Sequence, residues 1–291
     1  SDTITAIFQV NLITTVLTNF SIPEKAVGSA PFTLDPPTSN SDGNFTYTSS
    51  NLLVATIAGS TVTIVGVGSS TITAVQTTTA NSRSGSITAS LVVTKSSPTI
   101  TNFSIPEKAF GNEHFTLFRP TTNSNGAFTY TSSNTDVATI AKNVVTIVGA
   151  GTSTITAVQA SSASYLSGTI TATLTVIPGT TVLSNFSVPA KIFGGSAFGL
   201  VAPRTNSDGD FTYTSSNTDV ATIDGNTITI VGAGTSTITA DQASNANYLA
   251  GTITATFTVN RMTTVLSNFS APSKAVGNAP FALESPTTNS D

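Results

Sequence analysis

The sequence repeats itself with a fixed period of 83 residues, and this repeat constrains the fold more than any other feature. The motif Asn-Phe-Ser-Xaa-Pro begins at four positions in the same register, namely Asn19, Asn102, Asn185 and Asn268. No insertion or deletion separates one copy from the next. A constant period of this kind is typical of arrays in which each copy is one structural unit.

The register of the repeat predicts the domain boundaries. Three complete modules are expected, at residues 14–96, 97–179 and 180–262. Residues 3–6 have the same sequence as residues 252–255, so residues 1–13 are expected to be the last strand of a preceding module. Residues 263–291 match the first part of a further module. We therefore expect the sequence to be a piece of a longer array.

Each copy alternates apolar and hydroxyl side chains, which is the pattern of a half-buried β-strand. In residues 252–259, Ile, Ala, Phe and Val alternate with Thr, and residues 227–231 and 235–240 follow the same pattern. Asp224-Gly225-Asn226 predicts a tight hairpin between two such segments. Only 8% of the residues are charged, and runs of strong helix formers are missing. The pattern predicts about seven short strands per copy.

A sheet of this size can bury its apolar side only against a second sheet. The chain is therefore predicted to be all-β, a tandem array of immunoglobulin-like β-sandwiches, with Phe and Tyr filling much of each core. The linkers, for example residues 176–183, are short and contain no Gly/Ser-rich spacer. Such linkers predict an extended, semi-rigid rod.

Composition and charge exclude several classes of function. The net charge is −4 and no basic cluster is found, so no nucleic acid partner is expected. No apolar run is long enough for a membrane span in this fragment. Cysteine is absent, so disulfides and thiolate metal sites are not expected. The single histidine, His114, is replaced by Pro31, Ala197 and Pro280 in the other copies. We therefore expect no catalytic, cofactor-binding or metal residues, and no enzyme.

Acidic residues in the turns do not recur between copies. Asp208 corresponds to Asn125, and Asp224 corresponds to Ala58 and Ala141. A calcium site needs six or more oxygen ligands, and turn preference explains an Asx-Gly pair without an ion. A repeated calcium site is therefore not expected, and an isolated one at a junction between modules stays open.

One lysine does recur in every copy, two residues after the proline: Lys25, Lys108, Lys191 and Lys274. Three interpretations are open. A lysine can protect an exposed edge strand from pairing with another chain. It can also form an ion pair at a junction, or an isopeptide bond to an asparagine side chain.

Five asparagines lie in glycosylation sequons and are candidate modification sites: Asn19, Asn44, Asn102, Asn185 and Asn268. The alternative is that Asn occupies these positions by chance or because it favours turns. The sequence does not choose between them.

The segment from Phe211 to Ala240 resembles the bacterial immunoglobulin-like domain of group two. The similar parts are Phe-Thr-Tyr-Thr-Ser-Ser-Asn, then Val-Ala-Thr-Ile, a Gly-rich turn and an Ile-Thr-Ala strand, and they return in each complete module. The family usually has Trp where this chain has Tyr47, Tyr130 and Tyr213. The resemblance implies tandem modules, as in surface adhesins, phage tail proteins and large-virus fibre proteins, with no common catalytic residues.

These observations predict a structural stalk or fibre segment that provides reach and spacing outside the cell, at a cell or virion surface. Its expected partners are neighbouring modules and, in a fibre, other copies of the chain. The alternative is a set of adhesin modules whose loops bind a glycan or a surface receptor. A patch of exposed aromatic residues on one module would favour that alternative.

Overall fold

The computed structural model describes residues 2, 4–5 and 9–289, and no helix occurs among them. The strands recur with the 83-residue period, so the prediction of an all-β chain of tandem immunoglobulin-like sandwiches is confirmed. We call the three complete copies repeat 1 (residues 14–96), repeat 2 (residues 97–179) and repeat 3 (residues 180–262). The strand expected within residues 3–6 falls outside the described residues except for 4 and 5.

Repeat 1 has nine strands: β1 Leu17–Thr18, β2 Lys25–Ala26, β3 Phe32–Thr33, β4 Thr38–Ser39, β5 Phe45–Ser49, β6 Ala55–Ala58, β7 Thr61–Ile64, β8 Gly68–Gln76 and β9 Gly85–Thr94. One sheet has the order β2-β9-β8-β5 and the other has the order β3-β7-β6, while β1 pairs with β4. The β2–β9 pair is parallel, and the other pairs are antiparallel. Seven of the nine strands form the two sheets, against a prediction of about seven strands per copy. The pairings β9-β8-β5 and β3-β7-β6 match the G-F-C and B-E-D partition of immunoglobulin domains.

Repeats 2 and 3 contain the same strands. Those of repeat 2 are β10 Ile100–Thr101, β11 Lys108–Ala109, β12 Phe115–Thr116, β13 Thr121–Thr122, β14 Phe128–Ser132, β15 Ala138–Ala141, β16 Val144–Ile147, β17 Gly151–Gln159 and β18 Gly168–Ile177. Those of repeat 3 are β19 Leu183–Ser184, β20 Lys191–Ile192, β21 Phe198–Gly199, β22 Arg204–Thr205, β23 Phe211–Ser215, β24 Ala221–Asp224, β25 Thr227–Ile230, β26 Gly234–Gln242 and β27 Gly251–Asn260. The strands β28 Leu266–Ser267 and β29 Thr287–Thr288 begin a fourth copy.

The core of each repeat lies between its two sheets. In repeat 1, Val62 comes from the three-stranded sheet, whereas Ile72 and Leu91 come from the four-stranded sheet, and all three are fully buried. Along β27 the Thr side chains at 252, 254 and 256 are exposed, while Phe257 and Val259 are buried. The alternation read from the sequence therefore does sort side chains between core and solvent. Each fully buried apolar side chain stabilises the fold by about 1.5–3 kcal/mol.

The prediction of an aromatic core is only partly right. Phe257 is fully buried, but Phe211 and Tyr213 are only partly buried and pack at the margin of the core. The reason is their strand, because β23 lies at the edge of its sheet and has a neighbouring strand on one side only. Burial nevertheless raises the pKa of the Tyr213 hydroxyl above its ordinary value. The interior is filled mainly by Ile, Leu and Val.

The predicted hairpin is present in repeat 3, where Asp224 pairs with Thr227 across Gly225 and Asn226. Gly225 has a φ of 57°, and Gly59 at the same position of repeat 1 has a φ of 63°. Glycine adopts such left-handed angles without steric cost. Repeat 2 has Lys142 at this position, with a φ of 59°.

The chain divides into two compact units, and each is described by itself. The first comprises Ser1–Pro106, His114–Thr146 and Ser153–Leu174, and the second comprises Glu107–Glu113, Ile147–Thr152 and Thr175–Asp291. The contacts made by Ser96 at the end of repeat 1 lie within the first unit, and those made by Gly179 at the end of repeat 2 lie within the second.

Candidate functional site

The linkers between repeats are hydrogen-bonded into the repeat that follows them. The last residue of repeat 2, Gly179, donates its amide to the carbonyl of Asn247 at 2.8 Å and accepts from the amide of Leu249 at 2.9 Å. Ser96 makes the equivalent bonds with Ser164 at 3.1 Å and Leu166 at 2.8 Å. Each linker is therefore a short β-bridge and not a free tether.

An asparagine of the following repeat fastens the next part of each linker. In repeat 3, the Asn206 side chain accepts from the amide of Val182 at 2.8 Å and donates to the carbonyl of Thr180 at 3.2 Å. Three other asparagines in the same register accept from a linker amide: Asn40, Asn123 and Asn289. One side chain thus satisfies two backbone groups that would otherwise bond only to water. We call these four side chains the linker clasp.

A buried glutamine holds the turn that carries each clasp. Gln242 is 2% exposed. Its Nε2 donates to the carbonyls of Ser207 at 3.1 Å and Gly209 at 2.8 Å, and its Oε1 accepts from Thr205 Oγ1 at 2.6 Å. Both N–H groups of Nε2 and the Oε1 atom are therefore paired, as a buried amide requires. The turn from 205 to 209, which includes the clasp Asn206, is thereby tied to the end of β26.

The same arrangement occurs in the other repeats. Gln76 donates to the carbonyls of Ser41 at 3.0 Å and Gly43 at 2.7 Å. Gln159 donates to the carbonyls of Ser124 and Gly126, both at 3.1 Å. Because the contacts are repeated in three sequence contexts, they belong to the architecture of the repeat.

A glycine in each of these turns allows the backbone to approach closely. A Cβ added at Gly209 would lie 2.0 Å from the carbonyl oxygen of Ala243. The corresponding distances are 2.2 Å at Gly43 and 1.9 Å at Gly126. No other residue can occupy this position without moving the backbone.

The junction between repeats 2 and 3 has further contacts. The Phe110 and Tyr248 rings meet edge to face, with centroids 5.2 Å apart, and the amide of Ala150 donates to Asn247 Oδ1 at 2.8 Å. A Cβ added at Gly179 would lie 2.4 Å from the Phe110 carbonyl oxygen. An edge-to-face pair contributes about 0.5–1.5 kcal/mol beyond its buried area.

The junction between repeats 1 and 2 uses different side chains. Ser96 stands in place of Gly179, and its hydroxyl donates to the carbonyl of Val27. Ser96 is therefore bonded to repeat 1 through its side chain and to repeat 2 through its backbone. The two joints share their backbone bonds and differ in the side chains around them.

The candidate site residues considered in the sequence analysis are not the residues that make the linker contacts. His114 is exposed and lies just before β12. Across residues 2, 4–5 and 9–289, no group of three or more His, Cys, Asp or Glu side chains is placed to hold a metal ion. In the same part of the chain, no helix is long and apolar enough to cross a membrane.

In the three complete repeats the recurring lysine lies on an edge strand, as one interpretation predicted. Lys25 is in β2, the outermost strand of its sheet. Its ammonium lies 4.7 Å from the centroid of the Phe32 ring, and Lys191 lies at the same distance from Phe198. This cation–π contact gives one physical reason for the recurrence of the lysine, and the junction ion pair and the isopeptide bond stay untested predictions. The sequence signal was a Phe seven residues after each lysine.

Four of the sequon asparagines have a structural role. Asn19, Asn102, Asn185 and Asn268 all have a φ of 58°, a left-handed angle that asparagine tolerates better than most residues. The Asn19 side chain also donates to Thr38 Oγ1 at 3.2 Å. Turn preference therefore explains why Asn recurs there. The five sequon side chains, including that of Asn44, are exposed.

Sequence reasoning missed the clasp asparagines and the buried glutamines. Both sets recur with the repeat period, and that recurrence was the available signal. The glutamines end an alternating strand, where a polar side chain is ordinarily expected to be exposed.

No family model and no curated protein matches the sequence. Among solved structures, the chain is similar to the Drosophila N-cadherin EC1-4 fragment, with 12% identity, a TM-score of 0.30, and 84% of this chain and 75% of that chain covered. It is also similar to mouse cadherin-23 EC22-24, with 13% identity, a TM-score of 0.29, and coverage of 88% and 98%. A titin I-band fragment, I67-I69, has 14% identity, a TM-score of 0.32, and coverage of 86% and 99%. At these scores the similarities add nothing to the sandwich fold described above.

Proposed function

We propose that this chain is a segment of a structural stalk that holds an attached part at a distance from a cell or virion surface. The observation that carries the proposal is the linker geometry. Gly179 and Ser96 each make two backbone hydrogen bonds to the following repeat, and a clasp asparagine fastens the residues after them. Bending at such a joint breaks hydrogen bonds, so each joint resists bending more than a flexible spacer does.

The repeat length sets the reach of the stalk. The strand β27 has ten residues, and at about 3.3 Å per residue it spans about 33 Å. We propose that residues 14–96, 97–179 and 180–262 are separate domains joined end to end, giving a length of about 100 Å for three repeats. Residues 1–13 and 263–291 would then belong to the preceding and following domains.

Small-angle X-ray scattering of the 291-residue protein tests the proposal. A semi-rigid rod of this length has a radius of gyration of about 30 Å, compared with about 19 Å for a compact protein of the same size. A value close to the compact one would contradict the proposed stalk.

A glycine substitution at the joint makes the test specific. Gly179→Ala places a Cβ against the Phe110 carbonyl and is expected to loosen the second joint, so the amide of Leu249 should exchange faster with solvent. Gly199→Ala is the matched control, because a Cβ there meets no atom within 4 Å. Equal exchange at Leu249 in both variants would show that the close approach does not stiffen the joint.

Three finer points belong to the same proposal. Membership in the group-two bacterial immunoglobulin-like family is supported by the Phe-Thr-Tyr-Thr-Ser-Ser-Asn and Val-Ala-Thr-Ile segments. An extracellular location follows from that resemblance. Glycosylation at Asn19, Asn44, Asn102, Asn185 and Asn268 is compatible with their exposure, and mass spectrometry of peptides from the native source tests it.

A further inference from the structure

Repeat 2 has a cleft of about 570 Å³ on its surface, formed where the edge strand β14 meets the hairpin between β15 and β16. Its walls include Arg119, Phe128, Tyr130, Lys142 and Asn143. All of these residues lie within the first compact unit. The linkers do not use any of them.

Two aromatic rings form one wall of this cleft. Phe128 and Tyr130 are stacked with centroids 6.2 Å apart and an angle of 22° between their planes. Phe103 supports Tyr130 from the core, with centroids 6.0 Å apart. Tyr130 therefore contacts two neighbouring rings, and both Phe128 and Tyr130 are partly exposed.

Two cationic residues line the same cleft as the rings, and they occur in repeat 2 alone. The Arg119 guanidinium lies 5.5 Å from the centroid of Phe128, and Lys142 lines the same cleft. The position equivalent to Arg119 is Pro36 in repeat 1 and Ala202 in repeat 3. The position equivalent to Lys142 is glycine in both, Gly59 and Gly225. The aromatic pair is common to all three repeats, so the charges are what distinguish this one.

The backbone at Lys142 supports a role for its side chain. Its φ of 59° is favourable for glycine, which repeats 1 and 3 have there, and unfavourable for lysine. A strained residue of this kind persists where the surrounding structure compensates for it, and it often marks a functional site. Lys142 thus lines the cleft at a conformational cost to the hairpin.

We propose that this cleft binds an acidic sugar unit of a polysaccharide. The sugar ring would lie against Phe128 and Tyr130, whose electron-rich faces attract C–H groups. Its carboxylate or sulfate would be bound by Arg119, which can form two parallel hydrogen bonds, and by Lys142. Two cations are too few for the continuous phosphate contacts that nucleic acid binding uses. The inference goes beyond the stalk proposal and does not depend on it.

Isothermal titration calorimetry on the 291-residue protein tests the proposal. The probes are an oligogalacturonate, which carries carboxylates, a sulfated dextran oligosaccharide, and neutral dextran of similar length. We expect one site per chain for at least one acidic probe and none for neutral dextran. The comparison of the two acidic probes identifies which anion is preferred.

The equivalent residues of the other repeats indicate which substitutions to make. Arg119→Ala with Lys142→Gly introduces the residues that repeat 3 already has at these positions, so folding is expected to be preserved. Affinity should fall at least tenfold. The matched control, Arg204→Ala with Arg261→Ala, removes the same charge from two exposed sites and should leave affinity within twofold.

Three results would overturn the proposal. The first is no binding of either acidic sugar at millimolar concentration. The second is equal loss of affinity in both double variants, which would indicate general electrostatic attraction. The third is inorganic polyphosphate binding at the cleft as tightly as the acidic sugars, which would mean that the rings contribute nothing.

Discussion

Replacement of the buried Gln242 by methionine should destabilise repeat 3 and release its clasp. Methionine has nearly the same volume, so the change removes hydrogen bonds and leaves little cavity. Three bonds are lost, to Thr205, Ser207 and Gly209. At about 1 kcal/mol each, the expected loss is about 3 kcal/mol of unfolding free energy.

The size of this loss in unfolding free energy depends on which of the three partner groups can form a hydrogen bond with water after the substitution. Thr205 is exposed, so its hydroxyl can be solvated after the substitution. Ser207 is buried, so its carbonyl is left without a partner and contributes the larger share of the loss. Gly209 is partly buried, so the loss at its carbonyl is expected to be intermediate.

Hydrogen exchange followed by mass spectrometry locates the effect within the chain. The amide of Ala243, which donates to Asp210, should lose protection in Gln242→Met. The amide of Ala160, which donates to Ala127 in repeat 2, is the internal reference. Thr237→Ala, at an exposed position of β26, is the control variant and should change stability by less than about 0.5 kcal/mol. A loss below about 1 kcal/mol in Gln242→Met would refute the role assigned to this amide.

Three further predictions concern stability and are checked by urea unfolding. Lys142→Gly should stabilise repeat 2 by about 1 kcal/mol because it relieves a left-handed lysine, and Gly225→Lys should destabilise repeat 3 by a similar amount; no change in either would remove the argument from strain. Phe257→Ala should cost about 3–5 kcal/mol, whereas Phe118→Ala, at a site 83% exposed, should cost almost nothing; comparable losses would contradict the core assignment. Burial raises the pKa of Tyr213, so its contribution is complete below about pH 10 and is lost as pH rises through the folded-state value. Tyr213→Phe should therefore reduce the fall in stability between about pH 9 and about pH 12. An unchanged fall would show that the Tyr213 hydroxyl does not titrate as proposed.

The repeat and its β-structure could be predicted from the sequence because they depend on local patterns. Alternation of Thr with apolar residues in 252–259 assigns each side chain to the core or to solvent. Asp224-Gly225-Asn226 predicts its own hairpin because the turn involves only neighbouring residues. An exact period then extends both results to every copy.

The same patterns predicted the side of the strand on which the aromatic side chains lie, but not how deeply these side chains are buried. Phe211 and Tyr213 do point to one side of β23, as the period of two requires. Their partial exposure depends on β23 being an edge strand, and strand order follows from pairing between distant segments. Sequence periodicity gives the side of a strand on which a residue lies and contains no information about the strand's neighbours.

Two sets of residues acquire their roles only in the tertiary structure. Gln242 is 35 residues from Ser207 and 33 from Gly209, and only the folded sheet brings their atoms into contact. Asn206 is 24 residues from Val182, whose amide it binds. The sequence by itself determined an array of β-sandwich repeats, since strand formation responds to local alternation. How one repeat is fastened to the next was decided by the tertiary structure, because hydrogen bonds between distant residues depend on positions that only the completed fold defines.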